Sequence, residues 1–293
     1  MRRLFAFLVV LAILATPIFW LLTQPKTMDA TEIAGLTGDV KNGERVFYLG
    51  GCASCHAAPE AEGDAKLVLS GGKRFASPFG TFLAPNISPN PEHGIGNWQA
   101  IDLVNAMRFG TSPNGQHYYP AFPYTSYARA KVSDIVDLKA FLDRLPPSAI
   151  VNQPHEVPFP FNVRRGLGLW KMLFLADEWV APDSLLKGPE IAGRELVESL
   201  GHCGECHTGR GPLGNLQLEK WMKGAPNPSG KGKIPALAPI DWSVDEIAEY
   251  LNSGFTPEFD TAGGAMVDVV ENTAKLSDED RQAIAAYIKA LHQ

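Results

Sequence analysis

Cys52-Ala53-Ser54-Cys55-His56 and Cys203-Gly204-Glu205-Cys206-His207 are two copies of one five-residue pattern, and together they use all four cysteines of the chain. Cys-x-x-Cys-His is the spacing that attaches a c-type haem. Two thiols add across its vinyl groups, and the adjoining imidazole is held under the ring as the proximal iron ligand. A structural zinc site would gather its thiolates into one cage, and a thioredoxin-type pair does not need a histidine after the second cysteine. The pattern therefore predicts two covalently bound haem c groups. Cys52, Cys55, Cys203 and Cys206 would form the thioethers, with His56 and His207 as proximal ligands.

Outward from these motifs the chain repeats itself. Leu49-Gly50 and Leu200-Gly201 fall at the same distance from their cysteines, each at the end of an apolar-periodic entry segment. Trp98 to Gly110 matches Trp242 to Gly254 in length, and both read as a short helix stopped by glycine. Pro113 then matches Pro257, Ala121 matches Ala265, and Ala130-Lys-Val-Ser-Asp134 matches Ala274-Lys-Leu-Ser-Asp278 without a gap. Ser133 and Ser277 are N-cap candidates, opening closing helices over 134–145 and 278–291.

This order of elements resembles the class I cytochrome c fold, in which small helices wrap a haem that serves as most of the core. The expected fold class is all-α: two tandem class I cytochrome c domains behind an N-terminal transmembrane helix. Residues 29–150 form the first domain and 189–293 the second. The segment 151–188 between them is rich in proline and aromatics, with Pro154 to Phe161 unable to be helix or central strand. Leu167 to Trp179 then reads as an interdomain bridge or as a docking surface toward a partner or the membrane.

Leu4 to Leu22 is an apolar run behind Met1-Arg2-Arg3, broken only by Thr16 and Pro17. That length crosses about 30 Å of hydrocarbon. A cleaved signal peptide is the competing reading, but no small-x-small site follows, and Phe19-Trp20-Leu21 continues the apolar stretch. Residues 1–28 are therefore expected to be an uncleaved anchor and linker, with Arg2 and Arg3 on the cytoplasmic side. Thioether attachment implies the bacterial periplasm for the rest, so the expected location is the periplasmic side of the inner membrane. The net charge is −6, and removing Arg2 and Arg3 leaves −8 beyond the anchor. That balance argues against nucleic acid and suits a redox partner presenting lysines.

The repeat assigns the distal ligands unequally. Gly263-Gly264-Ala265-Met266 places a thioether where a class I cytochrome keeps its axial methionine, so Met266 is the expected sixth ligand of the second haem. Its counterpart in the first half is Phe122, which cannot ligate iron. His117 lies five residues earlier in the same loop, opposite Thr261 in the other half, and is the candidate sixth ligand of the first haem. Met107 aligns with Leu251 and reads as core. A His-ligated first haem would have a lower potential than the His/Met second, sending electrons from first to second. An open or His-ligated first iron also admits a different class of function, a peroxidase-like or thiosulfate-oxidising haem enzyme. Gly209-Arg-Gly211-Pro-Leu-Gly214 fits a dinucleotide pattern, but it follows a haem motif rather than a strand and is set aside.

The runs Gly80-Thr-Phe-Leu-Ala-Pro85-Asn86-Ile87, Gly94-Ile-Gly-Asn-Trp98 and Tyr119-Pro-Ala-Phe-Pro-Tyr-Thr-Ser-Tyr127 resemble the cytochrome c subunits of membrane-bound bacterial alcohol and gluconate dehydrogenases. Val157 to Arg164 and Gly264 to Val270 are similar to the same group, so the likeness covers nearly everything after the anchor. The resemblance implies an electron-transfer subunit rather than an enzyme. It would accept electrons from a periplasmic dehydrogenase and pass them toward quinone or an oxidase. This chain departs from the alcohol dehydrogenase subunits in carrying two haem motifs rather than three, and Pro-Ala-Phe-Pro where they have Pro-Ala-Met-Pro.

Overall fold

Each half is built on a helix crossing pinned by one glycine. The structure, a computed structural model, describes residues 1–227 and 232–291. In the first half α2 (Val40–Leu49) crosses α6 (Val132–Leu142). A methyl group at Gly43 would lie 2.9 Å from Phe141 Cβ. In the second half α8 (Pro189–Glu195) crosses α12 (Asp278–Ala290), and a methyl at Gly193 would lie 2.7 Å from Tyr287 Cβ. Only hydrogen fits at either point, so the helices meet backbone to backbone. Asp137 on α6 locks the first crossing, accepting from the Asp39 amide at 2.6 Å and from Asn42 Nδ2 at 2.7 Å.

The rest of each half follows the repeat. The haem motifs form single turns, α3 (Cys52–His56) and α9 (Gly204–His207). Next come α4 (Ala100–Phe109) and α10 (Val244–Ser253), ended by Gly110 and Gly254 in the left-handed conformation, φ 59° and 79°. The loops beyond close through the matching bridges Thr111 to His117 and Phe255 to Thr261. They lead into α5 (Tyr124–Tyr127) and α11 (Met266–Thr273). Outside the repeat lie α1 (Arg2–Leu22) and α7 (Leu167–Phe174).

Three local features depart from the sequence reading. The fold is mostly helical rather than all-α, since β1 (Arg74–Ser77) pairs antiparallel with β2 (Gly80–Leu83), and β3 (Ala225–Pro226) with β4 (Lys233–Ile234). Ser133 does not cap α6. That helix starts at Val132 with Lys131 at its N-cap, whereas Ser277 does cap α12 by accepting from the Asp280 amide at 3.1 Å. The crossing residues shift accordingly, with Phe141 meeting Gly43 where Tyr287, two positions further along the alignment, meets Gly193. Finally, α8 runs into a π turn over Leu196–Leu200, which absorbs the one extra residue separating Gly193 from Cys203 compared with Gly43 and Cys52.

The halves meet at the repeated Leu-Gly steps: a methyl at Gly201 would lie 3.4 Å from Leu49 Cδ1, and one at Gly50 3.8 Å from the Leu200 carbonyl. Arg45 on α2 grips Asp280 on α12 with two bonds of 2.7 and 2.6 Å, and Lys131 reaches Glu195 on α8 at 2.5 Å. Burial is the largest single influence on Asp280 and opposes its ionisation, but Arg45 and the Ser277 cap together outweigh it and hold the carboxyl below its ordinary value.

Overpacking a crossing is expected to destabilise by about 3 kcal/mol, the upper end for core insertions. Gly193→Ala should lower the guanidinium unfolding midpoint of the holoprotein, and Gly43→Ala should do the same. An unchanged midpoint in both would show that these crossings do not limit the packing within each half.

Candidate haem sites

Each motif puts two thiols and an imidazole on one helical turn, entered through a left-handed residue: Gly51 at φ 54° and His202 at φ 40°. A non-glycine residue is strained there. The His202 ring is held by Nδ1 at 2.8 Å from the Leu200 carbonyl and stands edge-on to Tyr127 of the first half at 5.5 Å.

The proximal histidines are oriented identically. His56 Nδ1 lies 2.8 Å from the Pro85 carbonyl, and His207 Nδ1 lies 2.9 Å from the Pro235 carbonyl. Such a bond assigns the proton to Nδ1, fixes the ring and leaves Nε2 as the ligand nitrogen. Burial lowers the pKa of both rings, with the carbonyls opposing, and pushes the Cys52 and Cys203 thiols up to about 12. All four cysteines are free of disulfides, and no three metal-binding side chains gather elsewhere among the described residues. Neutral thiols beside a proton-directed imidazole fit a thioether-bound haem in both halves.

The motifs are also tied to each other's domains. Ser54 Oγ, in the first motif, accepts from Asn272 on α11 of the second half at 2.9 Å. Glu205, at the same place in the second motif, accepts from Thr125 and Ser126 on α5 of the first half, both at 3.0 Å. Lys73 bonds the Ser54 carbonyl at 2.8 Å, and Arg210 bonds the Glu205 carbonyl at 3.2 Å and its carboxylate at 2.6 Å. Burial pushes the Cys55 thiol up, Lys73 pulls it down, and the Cys206 thiol adds a further upward push. The two motifs thus lie within electrostatic reach of one another.

On the distal side, Met266 opens α11, half-buried, two residues after Gly264 at φ 59°. Phe122 sits in an aromatic cluster, its ring 5.9 Å from Tyr118 and 5.6 Å from Tyr127. Met107 is buried in the core, as its alignment with Leu251 implied. His117 is also buried, and its Nε2 is spent on the Thr23 carbonyl at 2.9 Å, at the exit of α1. A ligand role for His117 would fall to Nδ1, which has no partner among the described residues.

One residue near the second site gave no signal in the sequence. Glu198, fully buried in the π turn, accepts from the Val180 amide at 2.6 Å, the Ala181 amide at 2.9 Å and the Tyr287 hydroxyl. Arg129 of the first half stands 4.0 Å away. Tyr287 in turn accepts from Trp221 Nε1 at 3.0 Å, and the Trp221 ring packs directly on Gly204 inside the motif. All Glu198 partners come from distant segments, so no local pattern announces them.

Two repeated helical units, each presenting a cysteine pair and a directed histidine, define a diheme c-type haem protein. Residues 40–146 and 191–292 both match the cytochrome c family model, and the chain belongs to the cytochrome c family. It is 56% identical over 290 residues to a diheme cytochrome c-type protein of Cereibacter sphaeroides, covering 98% of this chain and 97% of that one. It is 35% identical to the cytochrome c subunit of the alcohol dehydrogenase (quinone) of Gluconobacter oxydans, and 34% identical to the gluconate 2-dehydrogenase cytochrome c subunit of Pantoea cypripedii. Each of those matches covers 86% of this chain but only 54% and 59% of the relative, so the chain spans little more than half the length of these dehydrogenase subunits. The chain is an electron-transfer cytochrome with two covalently bound haem c groups, not an enzyme in its own right.

Removing the buried carboxylate behind the second motif leaves two amides and a hydroxyl without a partner. Glu198→Ala is expected to cost about 3 kcal/mol and Tyr287→Phe about 1 kcal/mol. Guanidinium titration of the holoprotein checks both, and equal costs would contradict the assigned hub role of Glu198.

Proposed function

We propose that this cytochrome is anchored in the inner membrane by α1, faces the periplasm, and carries electrons from a dehydrogenase partner toward the respiratory chain. The observation that carries this reading is the mutual fastening of the two haem motifs: Ser54 is hydrogen-bonded to α11 and Glu205 to α5 of the other half, which holds the two centres side by side. When bound, each haem supplies reversible one-electron exchange between ferrous and ferric iron. The protein's part is to hold those centres at fixed mutual positions and to set their potentials through ligands and burial. His56 and His207, directed by the Pro85 and Pro235 carbonyls, would hold the two haem irons on one side. Met266 would be the second site's further ligand, and His117, through Nδ1, is the candidate for the first.

The membrane assignment is supported by α1, which is long and apolar enough to span a bilayer and is exposed along its length. The partner assignment is supported by the relatives, which are named as subunits of alcohol, gluconate and fructose dehydrogenases. The acidic balance beyond the anchor suits a lysine-presenting partner surface.

In membranes of the producing cell, an alcohol or sugar-acid substrate is expected to reduce both haems, with the chain retained after a carbonate wash. Haem that dithionite reduces but none of these substrates does would overturn the dehydrogenase reading.

The two distal assignments separate by electron paramagnetic resonance of the oxidised protein. Met266→Ala should abolish the near-infrared sulfur-to-iron band and alter one low-spin signal. His117→Ala should alter the other, and an unchanged spectrum would remove His117 from the first haem.

A further inference from the structure

We infer that α7 lies in the lipid headgroup boundary of the membrane that α1 crosses, so that the haem domains sit on the bilayer at a fixed attitude rather than on a loose tether. This rests on the reading of α1 as a membrane anchor and extends it to a second contact with the same bilayer.

The anchor is bolted to the segment around α7. Arg165 donates to Thr23 Oγ1 at 2.9 Å and to the Trp20 carbonyl, with its guanidinium 4.2 Å from the centre of the Trp20 ring. Gly168, in the first turn of α7, lies flush on Thr23: a methyl group there would stand 2.6 Å from Thr23 Cβ. His117 holds the Thr23 carbonyl from the other side. Wherever the bilayer surface meets the end of α1, it therefore also meets the start of α7.

The side chains then sort by charge. Val163 to Phe174 contains three cations; two turn back into the haem domains and the third reaches the end of the anchor. Arg164 donates to the His117 carbonyl at 3.2 Å and packs on the Tyr119 ring. Arg165 is on the anchor, as described. Lys171 is 8% exposed and donates to the Phe109 and Gly110 carbonyls at 2.6 and 2.7 Å, at the end of α4. What faces outward is apolar: Val163, Leu169, Met172 and Leu173 are 52%, 43%, 59% and 71% exposed. Burying a lysine while exposing four apolar side chains inverts the usual choice for a water-facing helix. It is the arrangement for a helix lying in the interface of a bilayer, beside an aromatic residue at the end of a span.

The test uses the full holoprotein in phosphatidylcholine–phosphatidylglycerol vesicles. The four native cysteines are consumed by thioethers, so Leu173→Cys supplies a single free thiol for a nitroxide label. The expected result is that oxygen relaxes this label several-fold more than a water-soluble nickel chelate does, with Met172→Cys giving the same order. Dominant relaxation by nickel, in protein that survives a carbonate wash of the vesicles, overturns the inference while leaving the anchor in place. Nickel exclusion accompanied by dipolar broadening that grows with protein-to-lipid ratio assigns the face to a second copy and also overturns it. Loss of the protein from the vesicles in carbonate removes the anchor reading, and this inference with it. Charging the face gives a second readout: Met172→Glu with Leu173→Glu should abolish the linear dichroism of the haem Soret band in oriented bilayers.

Discussion

Everything in this molecule is arranged about the point where Leu49-Gly50 meets Leu200-Gly201. These steps lie one residue ahead of the two haem motifs and meet at van der Waals distance, with a methyl on Gly50 reaching to 3.8 Å of the Leu200 carbonyl and one on Gly201 to 3.4 Å of Leu49 Cδ1. From that contact the reciprocal bonds follow, Ser54 to the distal helix of the second half and Glu205 to the distal helix of the first. A haem domain of about a hundred residues has little core apart from its cofactor. Placing the covalent motifs at the seam lets each half supply part of the other's wall, and it brings both redox centres to one interface without any further element.

The halves are copies in outline and differ where function asks them to. Behind the first motif the packing is aromatic, with Phe47 against Phe141 at 5.2 Å. Behind the second, Tyr287 replaces Phe141 and bonds the fully buried Glu198, while a π turn accommodates the extra residue. A buried carboxylate with two amides, a phenol and an arginine around it is a polar network inside an otherwise apolar core. On the distal side the contrast runs the other way, with Phe122 in a ring cluster and Met266 at a flexible glycine pair. The duplicated scaffold therefore presents two electrostatically distinct environments.

Much of this was legible in the residues because it is local. The cysteine-histidine spacing, the glycine stops at Gly110 and Gly254, and the Ser277 cap each declare themselves within a few positions. Ser133 does not cap because Lys131 and Val132 adopt cap and helix geometry two residues early, leaving the serine inside the first turn. The β1–β2 hairpin is only four residues a side and turns over Pro78-Phe79, with Ser77 Oγ donating to the Gly80 carbonyl at 2.8 Å, too short a run for its alternation to declare a strand. The carbonyls that aim the two histidines, and the Glu198 hub, depend on chain segments far apart in sequence. His117 was singled out for its contrast with Thr261, yet its best-defined bond, to Thr23, joins it to the anchor.

The ion pairs across the seam have an orientation. Arg45, Lys66, Lys73, Arg129 and Lys131 all belong to the first half, and Asp268, Glu271, Asp280, Glu195 and Glu198 all belong to the second. Among the described residues, every such pair takes its cation from the first copy and its anion from the second. Apart from the buried Arg129–Glu198 contact, they individually contribute little at a solvent-exposed surface. Collectively they prohibit self-recognition: two first halves would oppose plus to plus, and two second halves minus to minus. A neighbouring chain that traded halves with this one would therefore re-form the same heterologous couple of cationic and anionic faces.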